Sequence, residues 1–421
     1  MTEIGRTLRP DAPTHTVIPP GQGSLPSDYL AFALLHHPQV AAAYDDWRAA
    51  VYSIAPARAL PDPKLTFQAD IASAVTSLMP GFMADIMSTP KREAMAREAS
   101  ANSEIAYRTY VSTLVETTSG LRRAWADLIA IDRSIQVRRE MAVLMARLTA
   151  ASQAGYETGQ GMATLEAQSN SLDASRRLDT ELASLIDQRT AARARFKAAL
   201  GLTATDPAPS WPTAAFSTDP LPDDATLWTR IVSANPDLAS MRAMVDMAEA
   251  QAGVASTAGT PDFAAGLMAD LKMNPLLFRP TASMTLPIWR EKITSILNSA
   301  KARKLAASER LDARRLSLAV DFAQRLAMLR ESSRMVAYID ASGYPTIDRD
   351  LVSGEAAYAS GMSGLDSLIR IKLMRLDLTL QRIDAEHQQD LAFSDLVQLS
   401  AGDLSAVPSL SPRADSTHSH P

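Results

Sequence analysis

Leucines recur every seven positions in two long stretches of the chain. Leu114, Leu121 and Leu128 share one register, and Leu165 and Leu172 share another further along. Leucines with this spacing form a narrow apolar seam that needs a partner helix. The pattern therefore predicts two long helices that pack against each other, with a reversal of the chain between them.

Glycine-containing turns mark the reversals. The first runs Tyr-Glu-Thr-Gly-Gln-Gly over residues 156–161, and a related Tyr-Ala-Ser-Gly turn follows at residues 358–361. Glycine adopts positive φ at low cost, so the chain can turn tightly there. About sixty helical residues on one side would span about 90 Å. We predict two tips of long helical hairpins, at residues 155–161 and 358–364.

Two other segments alternate with a period of two. Leu65, Phe67 and Ala69 are separated by polar residues, and Phe263 begins a similar alternation in the second half. Segments of about ten residues with one apolar face are typical of transmembrane β-strands, but they also occur in half-buried hairpins of soluble domains. We predict hairpins at residues 63–88 and 262–287.

The two halves repeat in the same order. Pro38 and Pro236 are 198 residues apart, and Tyr156 and Tyr358 are 202 apart. This predicts one helix–hairpin–helix–turn–helix unit that occurs twice, at residues 27–201 and 225–402. An extended N-terminal segment (1–26), a linker rich in Pro, Thr and Asp (202–224) and a disordered tail (403–421) complete the organisation.

Composition excludes several classes of function. The formal net charge is −5, so no broad basic surface is available and nucleic acid is not an expected partner. The chain has no cysteine, which excludes disulfides, thiolate catalysis and cysteine metal sites. No P-loop, HExxH, GxSxG or dinucleotide motif occurs, so we predict no catalytic residues and no cofactor.

The sequence offers no helical membrane anchor. It has no run of eighteen apolar residues, and its first residues lack the apolar core of a signal peptide. Taken alone, this favours a cytosolic protein. The alternative is a start site assigned too late, or a chain that lacks its signal segment.

Four strands cannot close a membrane barrel, because the smallest barrels have eight and open edges are not tolerated in lipid. If these strands enter a membrane, the chain must therefore form an oligomer. A trimer would supply twelve strands and a ring of long helices around one axis.

Several short motifs resemble the TolC-type family of outer-membrane efflux channels over residues 27–402, both in their order along the chain and in their repetition in the two halves. They are His-Pro-Gln-Val at 37–40, Leu-Pro-Asp-Pro at 60–63, Asn-Pro-Asp-Leu at 235–238, Leu-Pro-Ile-Trp-Arg at 286–290 and both Tyr-x-x-Gly tips. The segments at 60–63 and 159–161 are most similar to the heavy-metal cation (Czc- and Cus-like) branch.

The resemblance implies a mainly α fold with membrane β-structure. It implies a homotrimer whose twelve-stranded outer-membrane β-barrel continues into a periplasmic α-helical tunnel, with residues 202–224 in an equatorial region. The partners would be outer-membrane lipid, a periplasmic adaptor (membrane fusion) protein and an inner-membrane transporter. The function would be a passive conduit that exports small solutes or metal cations, and not an enzyme.

The resemblance also implies roles for particular residues. The tips would dock the adaptor and gate the channel, through Tyr156, Gly159, Gly161, Tyr358 and Gly361. Aspartates on the strands would line the barrel lumen, because carboxylates face lipid only at high cost; these are Asp70, Asp85 and Asp270.

The pore constriction departs from the family pattern. Family members often carry an aspartate on the return helix just beyond the tip, where this chain has Arg370, with Lys372 nearby and Asp366 four residues earlier. A threefold ring of Arg370 would favour anions. Arg370 could instead pair with Asp366 across one helical turn, or lie on a solvated helix face.

Other candidate sites have simpler interpretations. His36 and His37 precede a helix start, which favours capping over metal binding, and His418 and His420 lie in the predicted tail. Two interpretations stay open for three methionines in or near the first hairpin: contact with copper, or flexible packing. These residues are Met79, Met83 and Met87. A soluble coiled-coil scaffold or interaction protein is the main alternative function.

Overall fold

The computed structural model describes residues 19–71, 75–158, 165–214, 216, 222–271, 273 and 275–401. It is mostly helical, in agreement with the predicted fold class. The helices are α1 (Pro26–His36), α2 (Pro38–Tyr52), α3 (Ile54–Arg58), α4 (Thr89–Thr158), α5 (Leu165–Ala199), α6 (Asp224–Ala234), α7 (Pro236–Ser256), α8 (Arg290–Tyr338), α9 (Tyr344–Ala359) and α10 (Leu365–Leu399). None of these described helices combines the length and apolar composition needed to cross a bilayer.

Four strands form one antiparallel sheet in the order β1-β2-β3-β4. Their bounds are β1 (Lys64–Ile71), β2 (Val75–Ile86), β3 (Phe263–Asp270) and β4 (Leu277–Met284). The strands of the two halves meet where β2 pairs with β3, and β1 and β4 are the edges. β2 has twelve residues and runs through Pro80 and Gly81, although apolar and polar residues alternate only weakly in this part of the sequence.

The chain divides into two compact units. The helical unit contains Met1–Ala41, Leu114–Ala234 and Ala319–Pro421, and the sheet unit contains Ala42–Thr113 and Asn235–Leu318. Each unit thus combines segments from both sequence halves, which is the expected result when two copies of one motif fold together.

An aromatic cluster forms one core of the helical unit. The Trp125 ring packs edge-on against Tyr29 at a centroid distance of 5.0 Å and against Phe196 at 5.8 Å. The segment after Leu200 is tied to this cluster, because Tyr29 Oη donates to Ser210 O (2.9 Å) and Trp125 Nε1 donates to Ala214 O (2.8 Å). These described parts of the predicted linker are therefore anchored to the core.

A second core of the helical unit follows the predicted helical seams. Its buried members come from three helices: Val137, Met141, Leu148, Leu178, Ile369, Leu373 and Ile383. On α5 the register of Leu178 is the buried one, whereas Leu172 and Ile186 are 41% and 43% exposed. The register that includes Leu172 is therefore not the one that packs within the chain.

In the sheet unit, Asn235 caps the N-terminus of α7. Asn235 Oδ1 accepts a hydrogen bond from Leu238 N at 2.9 Å, and Pro236 occupies the first turn, where its missing N–H costs nothing. Lys91 at the start of α4 forms an ion pair with Asp262 next to β3 (2.5 Å). These contacts fix the helix starts beside the strands.

Helices α8 and α9 are joined by a helical turn and not by a break at Pro345. The backbone passes from α8 to α9 through a π-helical turn, Ile339–Gly343, in which Tyr344 N donates to Ile339 O. A π-turn accommodates extra residues without breaking a helix. Asp340 in this turn accepts from Arg382 Nε on α10 at 2.8 Å, and this hydrogen bond lowers the pKa of the Asp340 carboxyl.

Helix α5 ends as predicted at Gly201, which has a φ of +79°. Leu202 N donates to Lys197 O and Gly201 N to Ala198 O, which is the Schellman pattern. At the end of α10, Ala401 takes the left-handed position with a φ of +57°. The glycine predicted to do so, Gly402, lies outside the described residues.

We expect Gly201→Ala to destabilise the protein by more than the ~1–2 kcal/mol of left-handed strain alone. A Cβ atom there would lie 2.8 Å from His37 Cα and 2.9 Å from His36 O, so the clash adds to the strain. The matched control is Gly120→Ala in α4, where a Cβ meets nothing within 4 Å and helix propensity gains up to ~1 kcal/mol. Thermal unfolding of both variants checks this, and equal Tm changes would contradict it.

Candidate functional site: the second interhelical turn and the two faces of the sheet

The turn between α9 and α10 has a defined geometry. Met362 N donates to Ala357 O (2.9 Å) and Gly361 N donates to Tyr358 O (3.0 Å), so this turn is also a Schellman cap. Gly361 has a φ of +73°, and a Cβ there would meet nothing within 4 Å. The conformation, and not lack of space, makes glycine the preferred residue.

The surface of this turn is partly apolar. Met362 is 81% exposed and Tyr358 is 45% exposed. For the corresponding turn of the first half, Gly159 and Gly161 and the side chain of Tyr156 lie outside the described residues. The geometry of a predicted tip is therefore described only in the second half.

The charged candidates beyond the turn differ in their surroundings. Asp366 is exposed in the first turn of α10, where a carboxylate is favoured by the helix dipole. Arg370 is exposed and forms an ion pair with none of the described residues, so it does not pair with Asp366 there. Lys372 contacts Glu355 on α9 at 3.3 Å. Of the two cations, only Arg370 keeps its charge uncompensated in this part of the structure.

Helix α10 also carries a polar network deeper in the helical unit. Arg133 on α4 contacts Glu386 at 2.9 Å, and His387 Nε2 lies 2.8 Å from Asp127 Oδ1. Burial, followed by the charge of Glu386, raises the pKa of Asp390 to about 6, while His387 and Arg133 oppose the shift. This cluster could not be predicted from the sequence, because Asp127 and Arg133 on α4 are separated by 260 and 253 residues from their partners on α10.

One face of the sheet is entirely apolar. The register places on it Leu65, Phe67 and Ala69 of β1; Leu78, Pro80, Phe82, Ala84 and Ile86 of β2; Phe263, Ala265, Leu267 and Ala269 of β3; and Phe278, Pro280, Ala282 and Met284 of β4. Its large side chains are exposed, with Leu65 and Phe67 at 69%. This apolar face has no cover within the described chain.

The opposite face, here called the polar face, carries all three predicted strand aspartates. Asp85 forms an ion pair with Lys64 (2.8 Å), and Asp270 accepts from Ser77 Oγ (3.1 Å). Asp70 lies opposite Ser77 in the register. Asp270 is 2% exposed and Ser77 is 7% exposed, so along β2 and β3 the polar face is the more enclosed one, which inverts the arrangement of a soluble protein.

The histidine pair has local partners. His36 stacks on the Phe32 ring at a centroid distance of 4.3 Å, and His37 Nδ1 accepts from Gln39 N at 3.3 Å in the first turn of α2. Burial lowers the pKa of His37. Within the described residues, no group of three or more His, Asp or Glu side chains could hold a metal ion. His418 and His420 lie outside that part of the chain.

Comparison with known proteins relates this architecture to a known family. The family model described as outer membrane efflux protein matches residues 227–402. Residues 227–402 are therefore similar to the outer membrane efflux protein family. The match covers α6 of the second half, its hairpin and its long helices, and it confirms the TolC-type family predicted from the motifs. A search of curated proteins finds no match.

Solved structures extend the likeness to most of the chain. Campylobacter jejuni CmeC aligns with a TM-score of 0.73 at 12% identity, over 90% of this chain and 85% of that one. The open state of Neisseria gonorrhoeae MtrE aligns with 0.72 at 14%, over 94% and 95%. CusC aligns with 0.71 at 12%, over 93% and 99%. These values establish the outer membrane efflux channel fold, and they favour no branch of the family.

The similarity of residues 227–402 to the outer membrane efflux protein family changes how the site is understood, because that family consists of channel components. The features with chemical character are then surfaces: the Gly361 turn, the Arg370 side chain and the two faces of the sheet.

We expect Asp390→Asn to change the pH dependence of stability. A folded-state pKa raised above the unfolded value means that stability is present below about pH 4 and is lost as pH rises through about 6. The asparagine stays neutral, so the Tm of the variant should exceed that of the wild type at about pH 8 and match it at about pH 4.

Thermal unfolding across this pH range measures the effect. The control is Asp384→Asn, an exposed carboxylate on the same helix, which should leave the wild-type pH profile in place. A Tm difference for Asp390→Asn that is constant with pH would contradict the assignment.

Proposed function

We propose that the chain is the outer-membrane channel component of a tripartite efflux system. It would act as a passive conduit for small solutes or metal cations across the periplasm and outer membrane. The observation that carries the proposal is the inverted sheet, with a continuous exposed apolar face and an enclosed polar face. The similarity of residues 227–402 to the outer membrane efflux protein family supports it.

The dimensions of the strands fit a bilayer. Transmembrane β-strands have about 9–11 residues tilted by about 45°, and the described strands lie around that length, with eight residues in β1 and β3 and twelve in β2. In such a barrel the apolar face contacts lipid and the polar face lines the lumen. Asp70, Asp85 and Asp270 would then be lumen residues.

The edges of the sheet support a closed oligomer, and the TolC-type resemblance implies that it is a trimer. β1 and β4 each have one side unpaired within the chain, and each unpaired backbone group in hydrocarbon costs several kcal/mol. Pairing β1 of one copy with β4 of the next satisfies both edges. Three copies give twelve strands, an even number above the minimum of eight.

The long helices would form the periplasmic tunnel, as the TolC-type resemblance implies. In this proposal the tips, including Tyr358 and Gly361, dock a periplasmic adaptor that connects to an inner-membrane transporter. Residues 27–201 and 225–402 would be the two repeats, with 202–224 in the equatorial region. The extended segment 1–26 and the tail 403–421 would flank them.

The constriction would be cationic. Arg370 is the exposed charge without a described partner one turn beyond Asp366, and Lys372 is compensated by Glu355. A ring of three arginines repels cations and favours anions. This departs from the heavy-metal cation branch, which stays a prediction from the motifs at residues 60–63 and 159–161.

The alternative of a soluble coiled-coil scaffold fits the helices but not the sheet. A soluble protein rarely exposes a large contiguous apolar face, because water contact with it is unfavourable. Recovery of a monodisperse monomer without detergent would favour the scaffold and overturn the channel.

A cysteine cross-link tests the trimer directly. Because the chain has no cysteine, paired substitutions at the polar-face edges, such as Thr66→Cys with Thr281→Cys, introduce the only thiols. We expect oxidation in outer-membrane fractions to give covalent dimers and trimers for at least one pair along β1 and β4. Each single substitution is the control and should not give trimers. Absence of covalent trimers across the whole scan would contradict the edge pairing.

We expect Gly361→Val to abolish export while the trimer still assembles. A β-branched residue at a φ of +73° is strained and disrupts the turn. Ser360→Val is the matched control, because Ser360 has a φ of −84° that valine tolerates. Growth in toxic solute and cross-linked trimer are measured together, and full export by Gly361→Val would contradict the tip role.

We expect Arg370→Asp to shift ion selectivity severalfold toward cations. The substitution replaces a positive ring with a negative one, and Arg370→Lys preserves the charge as a control. Reversal potentials in a salt gradient across planar bilayers measure the effect. Equal selectivity of all three proteins would show that Arg370 does not line the pore.

A further inference from the structure

Methionines are concentrated on the polar face of the sheet. Of the four methionines in the described strands, Met79, Met83 and Met268 lie there, and only Met284 lies on the apolar face. This distribution is unusual, because a thioether placed only for packing would suit the apolar face at least as well.

The register brings the three methionines together. Met268 on β3 lies directly opposite Gly81 on β2, and Gly81 is flanked by Met79 and Met83 on the same face. Diagonal neighbours in an antiparallel pair have Cβ atoms about 7–8 Å apart, within reach of long side chains. Both β2 methionines are diagonal neighbours of Met268.

One glycine makes room for these side chains. A Cβ atom at Gly81 would lie 2.5 Å from Met268 Cγ, so the Met268 side chain crosses β2 at the gap between its two methionines. Gly266 lies opposite Met83, but Phe82 O and Thr281 Oγ1 fill the space beside its Cα. Met79 is 2% exposed, so one of the three thioethers is shielded from solvent.

The surroundings favour a soft cation over a hard one. The nearest charged groups on this face are already matched, Lys64 with Asp85 and Arg279 with Asp270 (3.5 Å). The remaining donors near the cluster are the three thioethers and the hydroxyls of Thr66 and Thr281, which lie beside Gly81 and Gly266. A neutral hydroxyl is a weak ligand, whereas thioethers select soft ions such as Cu(I). With no cysteine in the chain, no thiolate competes for such an ion.

We propose that Met79, Met83 and Met268 form a binding site for a soft monovalent cation, Cu(I) or its analogue Ag(I). This set differs from the three methionines considered from the sequence, Met79, Met83 and Met87. Met87 lies beyond the end of β2, and Met268 comes from the other half of the chain. The site is complete within one chain, so it does not depend on the proposed channel function.

Silver titration of the full chain in detergent tests the site. The medium contains no chloride and no thiol, and bound Ag(I) is measured by calorimetry and by metal analysis after dialysis. We expect the wild type to retain one Ag(I) per chain, and Met268→Leu and the triple leucine variant of Met79, Met83 and Met268 to lose it. Leucine is close in volume, which limits effects on packing.

Met284→Leu on the apolar face is the matched control and should retain the ion. Equal retention by the wild type and the triple variant, or no retention by the wild type, would overturn the proposal.

A second measurement uses only the wild-type protein, so it does not depend on the folding of any variant. Peroxide oxidation followed by peptide mass spectrometry reports the protection of each methionine with and without Ag(I). We expect Ag(I) to slow oxidation of Met83 and Met268 and to leave Met284 unchanged. Uniform protection of all methionines, or protection elsewhere only, would overturn the site.

Discussion

The exposed apolar face of the four-stranded sheet constrains the rest of this protein. Large side chains such as Phe67 and Phe82 point outward, while Asp270 and Ser77 are buried on the opposite face. This arrangement is stable only if something apolar covers the outer face and the edges β1 and β4 find partners. Lipid and neighbouring copies of the chain meet both requirements at once. The oligomeric channel proposed here follows from this constraint more than from any single motif.

Much of the fold could be predicted from sequence because its signals are local and repeated. The alternation from Phe263 to Ala269 and the Asn235 cap each depend on neighbours within a few residues, and the structure contains both. Other features depend on tertiary contacts. The exposure of Leu172 and the π-helical turn at Ile339–Gly343 both depend on which helices pack against each other. Heptad spacing alone does not specify the packing partner.

The candidate site was predictable in position but not in chemistry. The turn at Gly361 followed from glycine placement, since positive φ is a backbone property that the sequence encodes directly. The different surroundings of Arg370 and Lys372 did not follow, because Glu355 reaches Lys372 from another helix. The methionine cluster shows the same limit, since Met268 joins Met79 and Met83 only through pairing between the two halves.

Site-directed spin labelling measures the orientation of the sheet most directly. Single cysteines placed along β3 at Ala264, Ala265, Leu267 and Met268 each carry one nitroxide, since the chain has no other thiol. In outer-membrane vesicles we expect labels at Ala265 and Leu267 to be accessible to oxygen dissolved in lipid. Labels at Ala264 and Met268 should be accessible to a water-soluble relaxation agent. Water accessibility at all four positions, or the opposite alternation, would contradict a membrane-spanning sheet.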